Sequence, residues 1–387
     1  MADDAHPRVT FLITALGVGG AEVQLVRLAT ALQARGWPVL VLALRTVEGV
    51  EGALRAAGVP TRSLTPAGGR LGFRTASALL ESLRTERPAC LVTFLLQANV
   101  LGRVAGALCR VPVVSSIRNE RFGGAGRAGP WLGDAMERLT TPLARAVVFN
   151  SRSSAAQVVA RRVVPAGKVR IIGNALPPHA APLTAETRAA LRADLGLDDD
   201  SFAWLNVGSL HAQKNHLALV EALACHRDTH PTARLLIAGT GPLEAAVRER
   251  VRALGLADSV TLLGLRHDVP ALLQAVDGFV LSSRWEGLPN VVMEALAVGT
   301  PTVATPVGGV DELVEDGVSG WLARSPEAAD LCAALDRVVA TTARDRAAVA
   351  ATGRARVLTQ FGAETVTQQW VDVVADALGA PRERRRM

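Results

Sequence analysis

Residues 8–15 read RVTFLITA, and residues 16–35 continue LGVGGAEVQLVRLATALQAR. The first stretch is an apolar run bounded by polar and glycine residues, the pattern of a buried strand. In the second, Val23, Val26, Leu28 and Leu32 recur at helical spacing, and Gly36 is placed to end the helix. Strand, glycine turn and helix together open a βα unit. Outward from it the pattern repeats. Residues 39–44 read as a second buried strand, 73–84 as a helix, 91–94 as a strand, 101–108 as a helix and 111–116 as a strand. Residues 147–150 and 169–172 read as two more strands, the first followed by a helix capped by Ser151. Strands alternating with helices imply βαβ units, right-handed crossovers and a doubly wound parallel sheet.

The sequence Pro177-Pro178-His179-Ala180-Ala181-Pro182 is the clearest break. Prolines at this density favour extended backbone and a linker. Beyond it the alternation restarts, with strands expected at 202–207, 234–238, 260–263, 279–281 and 302–304 and helices at 217–225 and 242–254. The expected organisation is an N-terminal Rossmann-like domain over 1–180 and a C-terminal one over 181–363. Residues 364–378 form a helix expected to pack back on the first domain, ahead of a disordered basic tail ending at 387. The fold class is therefore α/β, with two Rossmann-like parallel-sheet domains facing across a cleft. The length of 387 residues agrees, since domains run on the order of 100–200 residues.

Composition narrows the function. The hydrophobic fraction is 49%, the charged fraction 20% and the mean hydropathy +0.24. The longest apolar stretch, 90–117, is broken by Arg103 and Arg110, so it reads as buried core and not a membrane span. A short polar leader opens the chain, and a cytoplasmic location is expected. The four cysteines form no C-x-x-C pair and the histidines no H-E-x-x-H, which argues against a disulfide scaffold and a zinc site. Residues 1–180 hold 22 basic and 10 acidic side chains; the remainder holds 20 and 26. That basic first half suggests an anionic partner: a lipid-phosphate acceptor, nucleic acid, or an anionic membrane met peripherally at its inner face. An Arg-rich solvated surface is the plain alternative. Aromatics are 4% and tyrosine is absent, which leaves few platforms for stacking bases, so nucleic acid is not expected. Lysine occurs twice, as Lys168 and Lys214.

Three segments carry chemistry. Gly17-Val18-Gly19-Gly20-Ala21-Glu22 joins a strand to a helix, where amides and the helix N-terminus favour an anion. A dinucleotide fingerprint needs a third glycine where Glu22 stands and an acidic residue where Arg45 ends the second strand. A ligand-free tight turn fits the glycines as well. Gly208-Ser209-Leu210-His211-Ala212-Gln213-Lys214-Asn215-His216 follows the first strand of the second domain. Lys214 there is a point charge suited to a diphosphate, or else a solvated lysine. The third segment runs Arg284-Trp285-Glu286-Gly287-Leu288-Pro289-Asn290-Val291-Val292-Met293-Glu294-Ala295. Pro289 suits the first helical turn, and the amides around Leu288–Val291 suit phosphate or sugar oxygens. Glu286 and Glu294 are carboxylates able to accept sugar or ribose hydroxyls. Glu294 sits among core residue types, which argues against a merely solvated position.

These segments resemble the family-four retaining glycosyltransferases of GT-B architecture, over nearly the whole chain. Glu286 and Glu294, with Gly-Leu-Pro-Asn between them, match the family's Glu-x7-Glu. Gly19-Gly20-Ala21-Glu22, Gly239-Thr240-Gly241-Pro242, Leu263-Gly264-Leu265-Arg266 and Thr305-Pro306-Val307-Gly308-Gly309 match further loops. The resemblance implies that Lys214 neutralises the donor diphosphate, Glu294 holds the ribose and Glu286 the transferred sugar. It also implies that backbone at Gly287, Leu288, Pro289 and Asn290 cradles sugar and phosphate, that Leu265 and Arg266 hold the base, and that Gly19 and Gly20 face the diphosphate, with Gly239 and Gly241 also donor-binding. Ser209 stands where members often carry Arg. Arg118, in Ser115-Ser116-Ile117-Arg118-Asn119-Glu120, stands where many carry a histidine, and is the candidate catalytic or cleft-lining replacement; the alternative is an ordinary surface arginine.

The expected reaction moves a sugar, with retention, from a nucleotide diphosphate donor, UDP foremost, to a lipid-linked, polysaccharide or small-molecule acceptor. Lys214 and oriented amides stabilise the departing diphosphate, so no metal and no cofactor beyond the nucleotide sugar are expected. Asp198-Asp199-Asp200 precedes a strand and reads as solvated loop, not as the Asp-x-Asp of metal-dependent transferases. Three alternatives rank below: a nucleotide-sugar 2-epimerase, whose own acid–base constellation is not seen; a Rossmann dehydrogenase; and a non-catalytic sugar-binding protein.

Overall fold

The structure, a computed structural model, describes residues 6–17, 19–47, 49–118, 130–178, 181–198 and 200–379. The chain divides into two compact units: Met1–Ala175 with Ala363–Met387, and Leu176–Gly362. The division thus falls a few residues before the expected 180/181 boundary. The basic tail lies outside the described residues.

Unit 1 is built on a seven-stranded, all-parallel sheet. Its strands are β1 (Val9–Ala15), β2 (Val39–Arg45), β3 (Thr61–Ser63), β4 (Cys90–Phe94), β5 (Val113–Ile117), β6 (Ala146–Phe149) and β7 (Val169–Ile171), in the order β3-β2-β1-β4-β5-β6-β7. The helices are α1 (Gly20–Ala34), α2 (Glu51–Ala56), α3 (Phe73–Glu86), α4 (Leu96–Cys109), α5 (Pro130–Thr140) and α6 (Arg152–Ala160). The sheet is covered on both faces, which is why β1 has no polar alternation. Its Val9, Phe11 and Ile13 pack with Leu25, Leu28 and Leu32 of α1 on one face, while Leu12 packs with Leu79, Leu83 and Ala98 of α3 and α4 on the other. Gly36 ends α1 at φ 81°, a conformation glycine adopts without strain. Ser151 caps α6 by accepting the Ser154 amide at 3.1 Å.

Unit 2 repeats the plan with β8 (Ala203–Val207), β9 (Arg234–Ala238), β10 (Val260–Gly264), β11 (Gly278–Leu281), β12 (Thr302–Ala304) and β13 (Trp321–Leu322). The order is β10-β9-β8-β11-β12-β13, again parallel. Its helices are α7 (Ala185–Asp194), α8 (His216–Arg227), α9 (Glu244–Ala253), α10 (Val269–Ala275), α11 (Asn290–Val298), α12 (Val310–Leu313), α13 (Ala328–Ala340) and α14 (Ala343–Phe361). A last helix, α15 (Ala363–Leu378), returns to unit 1 and buries Val366, Trp370, Val373 and Val374 in the core around β1 and β4. Strand order reverses between β1 and β4 in unit 1 and between β8 and β11 in unit 2. Loops leaving neighbouring strands there run to opposite faces and open a crevice at the carboxyl edge.

Two expectations change. Helix α4 starts at Leu96, five residues before the 101–108 reading, because Asn99 is drawn into buried bonds with Thr93 and the Ser116 carbonyl. Cys225 and Cys332 form a disulfide joining α8 to α13, against the expectation from cysteine spacing. Their 107-residue separation carries no short-range signal; only the packing of the two helices brings them together. Beside them, His226, His230 and Asp336 each offer a ligand atom within 4.8 Å of the others. The Trp204 indole N–H donates to His226 Nε2 at 3.4 Å, which leaves the ring proton on Nδ1, facing Asp336 at 2.5 Å. With Nδ1 a donor, the trio reads as a hydrogen-bonded latch between helices.

Candidate active site

The reversal point of unit 2 brings together loops that are 72 residues apart in sequence. Lys214 follows β8 and Glu286 follows β11, and the two strands are adjacent, with Trp204 opposite Gly278 and Leu205 opposite Phe279. Lys214 Nζ donates to Glu286 Oε1 at 2.6 Å. Ser283 Oγ donates to the same oxygen at 2.6 Å, and Gln213 Nε2 lies 3.5 Å from Glu286 Oε2 and donates to the Trp285 carbonyl at 2.8 Å. The carboxylate is 9% exposed and the lysine side chain 19%, so the pair sits at the edge of solvent, charged and reachable. Such hydrogen bonds between ionised groups are short and roughly twice as strong as neutral ones.

The loop carrying Lys214 is held by its neighbours. Asn215 adopts the left-handed conformation, φ 57°, which asparagine tolerates better than most residues. Its side chain accepts from Arg284 Nε at 3.0 Å and donates to the Pro326 carbonyl at 2.7 Å. Ser282 Oγ donates to the Lys214 carbonyl at 2.8 Å. From the other side, the loop after β12 supports the Glu286 loop. Thr305 Oγ1 donates to the Ser283 carbonyl at 2.7 Å, and the Gly309 amide to the Gly287 carbonyl at 2.7 Å. Gly308 has φ 57°, and a Cβ there would stand 2.2 Å from the Glu286 carbonyl oxygen, so only glycine fits.

The remaining donor-binding candidates of unit 2 follow strands at the same sheet edge. Ser209 is exposed in the turn after β8. Gly239 (φ 148°) and Gly241 press against that turn, where Cβ atoms would meet the Gly208 carbonyl at 2.0 Å and Leu210 backbone at 2.7 Å. Leu265 is 60% exposed after β10, and Arg266 pairs with Asp268 at 2.5–2.8 Å. Pro289 is the residue before helix α11, not its first turn; Asn290 opens the helix, so Asn290, Val291 and Val292 supply the amides with no carbonyl four residues back inside it. Leu288 is buried in the core beneath. Glu294, further along α11, lines a separate cavity with Pro177, Pro270, Gln274 and Arg354.

In unit 1, Gly19 precedes α1 and Gly20 opens it. The Glu22 carboxylate comes within 2.5 Å of where a Gly19 Cβ would stand, and burial raises its pKa. Of the two readings of Arg118, the one as an ordinary surface arginine fails, since the residue is 7% exposed. Its guanidinium donates to Ser116 Oγ and Asn174 Oδ1, both at 2.7 Å, and lies over the rings of Phe94 and Trp370 at 5.2 and 5.6 Å. Burial pulls its pKa down to about 9. The hydrogen bonds and rings that satisfy it belong to the core of unit 1, so the arrangement is one of support for α15 and the segment after β7.

His216 closes the Lys214 segment, but the sequence alone assigns it no role. It opens α8, two residues beyond Lys214, is 2% exposed, and neither ring nitrogen has a hydrogen-bond partner among the described residues. Burial, then the Lys214 charge, pushes its pKa down to about 4, so the ring is neutral near pH 7. Its place directly after Lys214-Asn215 was the one available signal.

A model described as Glycosyl transferases group 1 matches residues 187–356, and one described as Glycosyl transferase 4-like domain matches residues 19–175. The chain belongs to this glycosyl transferase family. It is 28% identical to the UDP-Gal:alpha-D-GlcNAc-diphosphoundecaprenol alpha-1,3-galactosyltransferase of Escherichia coli, over 63% of this chain and 65% of that protein. It is 36% identical to the alpha-D-kanosaminyltransferase of Streptomyces kanamyceticus, over 38% and 39% respectively. The chain thus spans less than two thirds of the length of these relatives. Among solved structures, HepE of Anabaena in complex with UDP-glucose is similar at TM-score 0.83 and 23% identity, over 96% of this chain and 100% of that one. That likeness is one of fold, and it makes the architecture GT-B. Among the described residues, no helix is long and apolar enough to cross a membrane.

Proposed function

We propose that this glycosyl transferase moves a sugar, with retention, from a UDP-sugar to a lipid-linked, polysaccharide or small-molecule acceptor. The observation that carries the reading is the Lys214–Glu286 pair, 2.6 Å apart beside the amino end of α11. Cleavage of the anomeric C–O bond sends an electron pair to the leaving phosphate oxygen. A lysine ammonium and oriented amides stabilise that charge without a metal ion, and they do so best where water is scarce. Lys214 exchanges Glu286 for the diphosphate when donor arrives; Glu286, still held by Ser283 at its first oxygen, then turns its second oxygen from Gln213 to the transferred sugar. Exposed Leu265 is the base platform, with Arg266 beside it; Glu294, which lines the other cavity, is given no donor contact. Unit 1 takes the acceptor. Arg118 is assigned a positioning role.

UDP as the nucleotide is supported by the UDP-Gal donor of the Escherichia coli relative and by the UDP-glucose bound to HepE. The test is thermal shift with UDP, GDP and NAD, followed by hydrolysis of a panel of UDP-sugars without acceptor, in EDTA. A ligand at a hundred times its Kd stabilises by about 2.7 kcal/mol, a shift of a few degrees. UDP is expected to stabilise and EDTA to leave hydrolysis unchanged. Stabilisation by NAD alone would favour a dehydrogenase.

A further inference from the structure

The disulfide and the candidate active site share two helices. Helix α8 begins directly after Lys214-Asn215 and carries Cys225 near its far end. Helix α13 begins directly after Pro326-Glu327 and carries Cys332 in its second turn. At the near end the helices are joined through Asn215, which donates to the Pro326 carbonyl at 2.7 Å. Arg284 reinforces that joint: it donates to Asn215 Oδ1 at 3.0 Å and lies 3.8 Å from Glu327. At the far end the disulfide joins them, with the His226–Asp336 bond beside it. Leu219, Val220 and Leu223 of α8 and Leu331 and Leu335 of α13 belong to one apolar cluster. At about 1.5 Å per residue, Cys225 lies roughly 15 Å along the helix from Asn215.

The two sulfurs differ in access. Cys225 is exposed, whereas Cys332 is buried. A thiolate attacks a disulfide through the sulfur it can reach, and exposed disulfides are the labile ones. The surroundings also suit the reduced pair. Cys332 Sγ lies 3.8 Å from Asp336 Oδ2, an approach that becomes a hydrogen bond once the sulfur carries a proton. The other oxygen, Asp336 Oδ1, keeps His226 at the same time, so the latch between the helices outlasts the S–S bond. Neither free cysteine competes. Both belong to unit 1, where burial pushes the Cys90 thiol up to about 12 and Cys109 is half-buried.

We propose that Cys225–Cys332 is a thiol–disulfide exchange site, and that its state sets how firmly α8 and α13 hold the Lys214 loop. The co-reactant is a low-molecular-weight thiol. Its thiolate attacks Cys225 Sγ and the S–S bond breaks. Cys332 leaves as a thiolate and takes up the proton that the attacking thiol released. A second thiolate attacks the external sulfur of the mixed disulfide, and Cys225 leaves and is protonated in turn. Two external thiols are oxidised to one disulfide, and the cystine is reduced to two thiols. The oxidised chain pins α8 to α13 at both ends; the reduced chain keeps the Asn215 joint and the His226 latch. The exchange stands on unit 2 alone, and its effect on nucleotide binding rests on Lys214 being the diphosphate ligand.

The test incubates the folded full chain with dithiothreitol, alkylates it in denaturant with iodoacetamide and counts the modified cysteines by intact mass. Two are expected before reduction, Cys90 and Cys109, and four after it, with oxidised glutathione restoring two. Reduction should lower the unfolding temperature by roughly 5–15 °C and leave the chain folded. Amide hydrogen exchange over residues 209–216 should quicken at least about tenfold on reduction and slow again on reoxidation, while β4 and β5 of unit 1 keep their rates. UDP is expected to bind the reduced chain about fivefold more weakly. Cys225→Ser with Cys332→Ser should behave as reduced wild type does and ignore dithiothreitol. A count of two that persists until the chain unfolds would make the disulfide a fixed staple and overturn the proposal. So would a count of four with the exchange of 209–216 unchanged, or with UDP bound equally in both states. Redox-dependent exchange of 209–216 in a chain that binds UDP in neither state would uphold the proposal and overturn the donor reading instead.

Discussion

Lys214 and Glu286 share one proton-rich contact, and each depends on the other for more than the reaction. Removing the amine by Lys214→Ala strips the charge that balances a nearly buried carboxylate, and it removes the stabiliser of the leaving diphosphate. Loss of one such group costs a factor of about 100–1000 in kcat. We expect that loss for Lys214→Ala and for Glu286→Gln, measured as initial rate with a saturating donor, while the Tm stays within a few degrees. A rate near wild type in either variant would take that residue out of the site. His216 makes a different prediction. Its pKa is about 4 in the folded chain against an ordinary 6.5, so between those values the unfolded chain binds a proton that the folded chain refuses. Stability therefore rises with pH across that window and is fully present above it. His216→Leu should lose less Tm than wild type between pH 7 and pH 5, and an equal loss would show that the ring titrates normally. Both the Lys214 and Glu286 positions were legible from residue type and spacing. His216 was not, because a buried histidine with no partner differs from a solvated one only in its surroundings.

At the scale of elements, the β11–α11 loop is shaped from outside. The turn after β12 props it, with Gly308 close against the Glu286 carbonyl and Gly309 bonded to Gly287. Gly308→Ala should displace the loop, and misplacement by about an ångström costs roughly a hundredfold in rate. The expected result is a large loss of kcat with Tm lowered by only a few degrees, since the turn lies at the sheet edge. Intact activity would mean the loop is held otherwise. The long strands and the helices with clear periodicity were readable because strands buried on both faces are apolar throughout. Others were not. Strand β3 has three residues at a sheet edge and β13 has two, too short for any period. In helix α5 periodicity marks an apolar side, Leu132, Met136 and Leu139, but misleads about its burial, since that side is the one left outside. The Pro289 reading slipped by one position, within the ordinary uncertainty of helix ends.

For the whole molecule, the doubly wound plan of each unit follows from the alternation of strands and helices, and the return of α15 to unit 1 from the apolar face around Trp370. Neither the disulfide nor the His226–Asp336 contact could be anticipated, since each joins residues more than a hundred positions apart through the packing of α8 on α13. One economy of composition has a practical outcome. Of the two lysines, Lys168 has its amine seated among the carbonyls of Thr141, Pro142 and Ala144, at 2.7–3.3 Å. Lys214 is then the one side-chain amine positioned at the sheet edge where a nucleotide would arrive. Amine-selective acylation, read by peptide mass, becomes a single-residue footprint: the rate at which Lys214 is modified, with and without a candidate donor, reports occupancy directly on the unaltered chain.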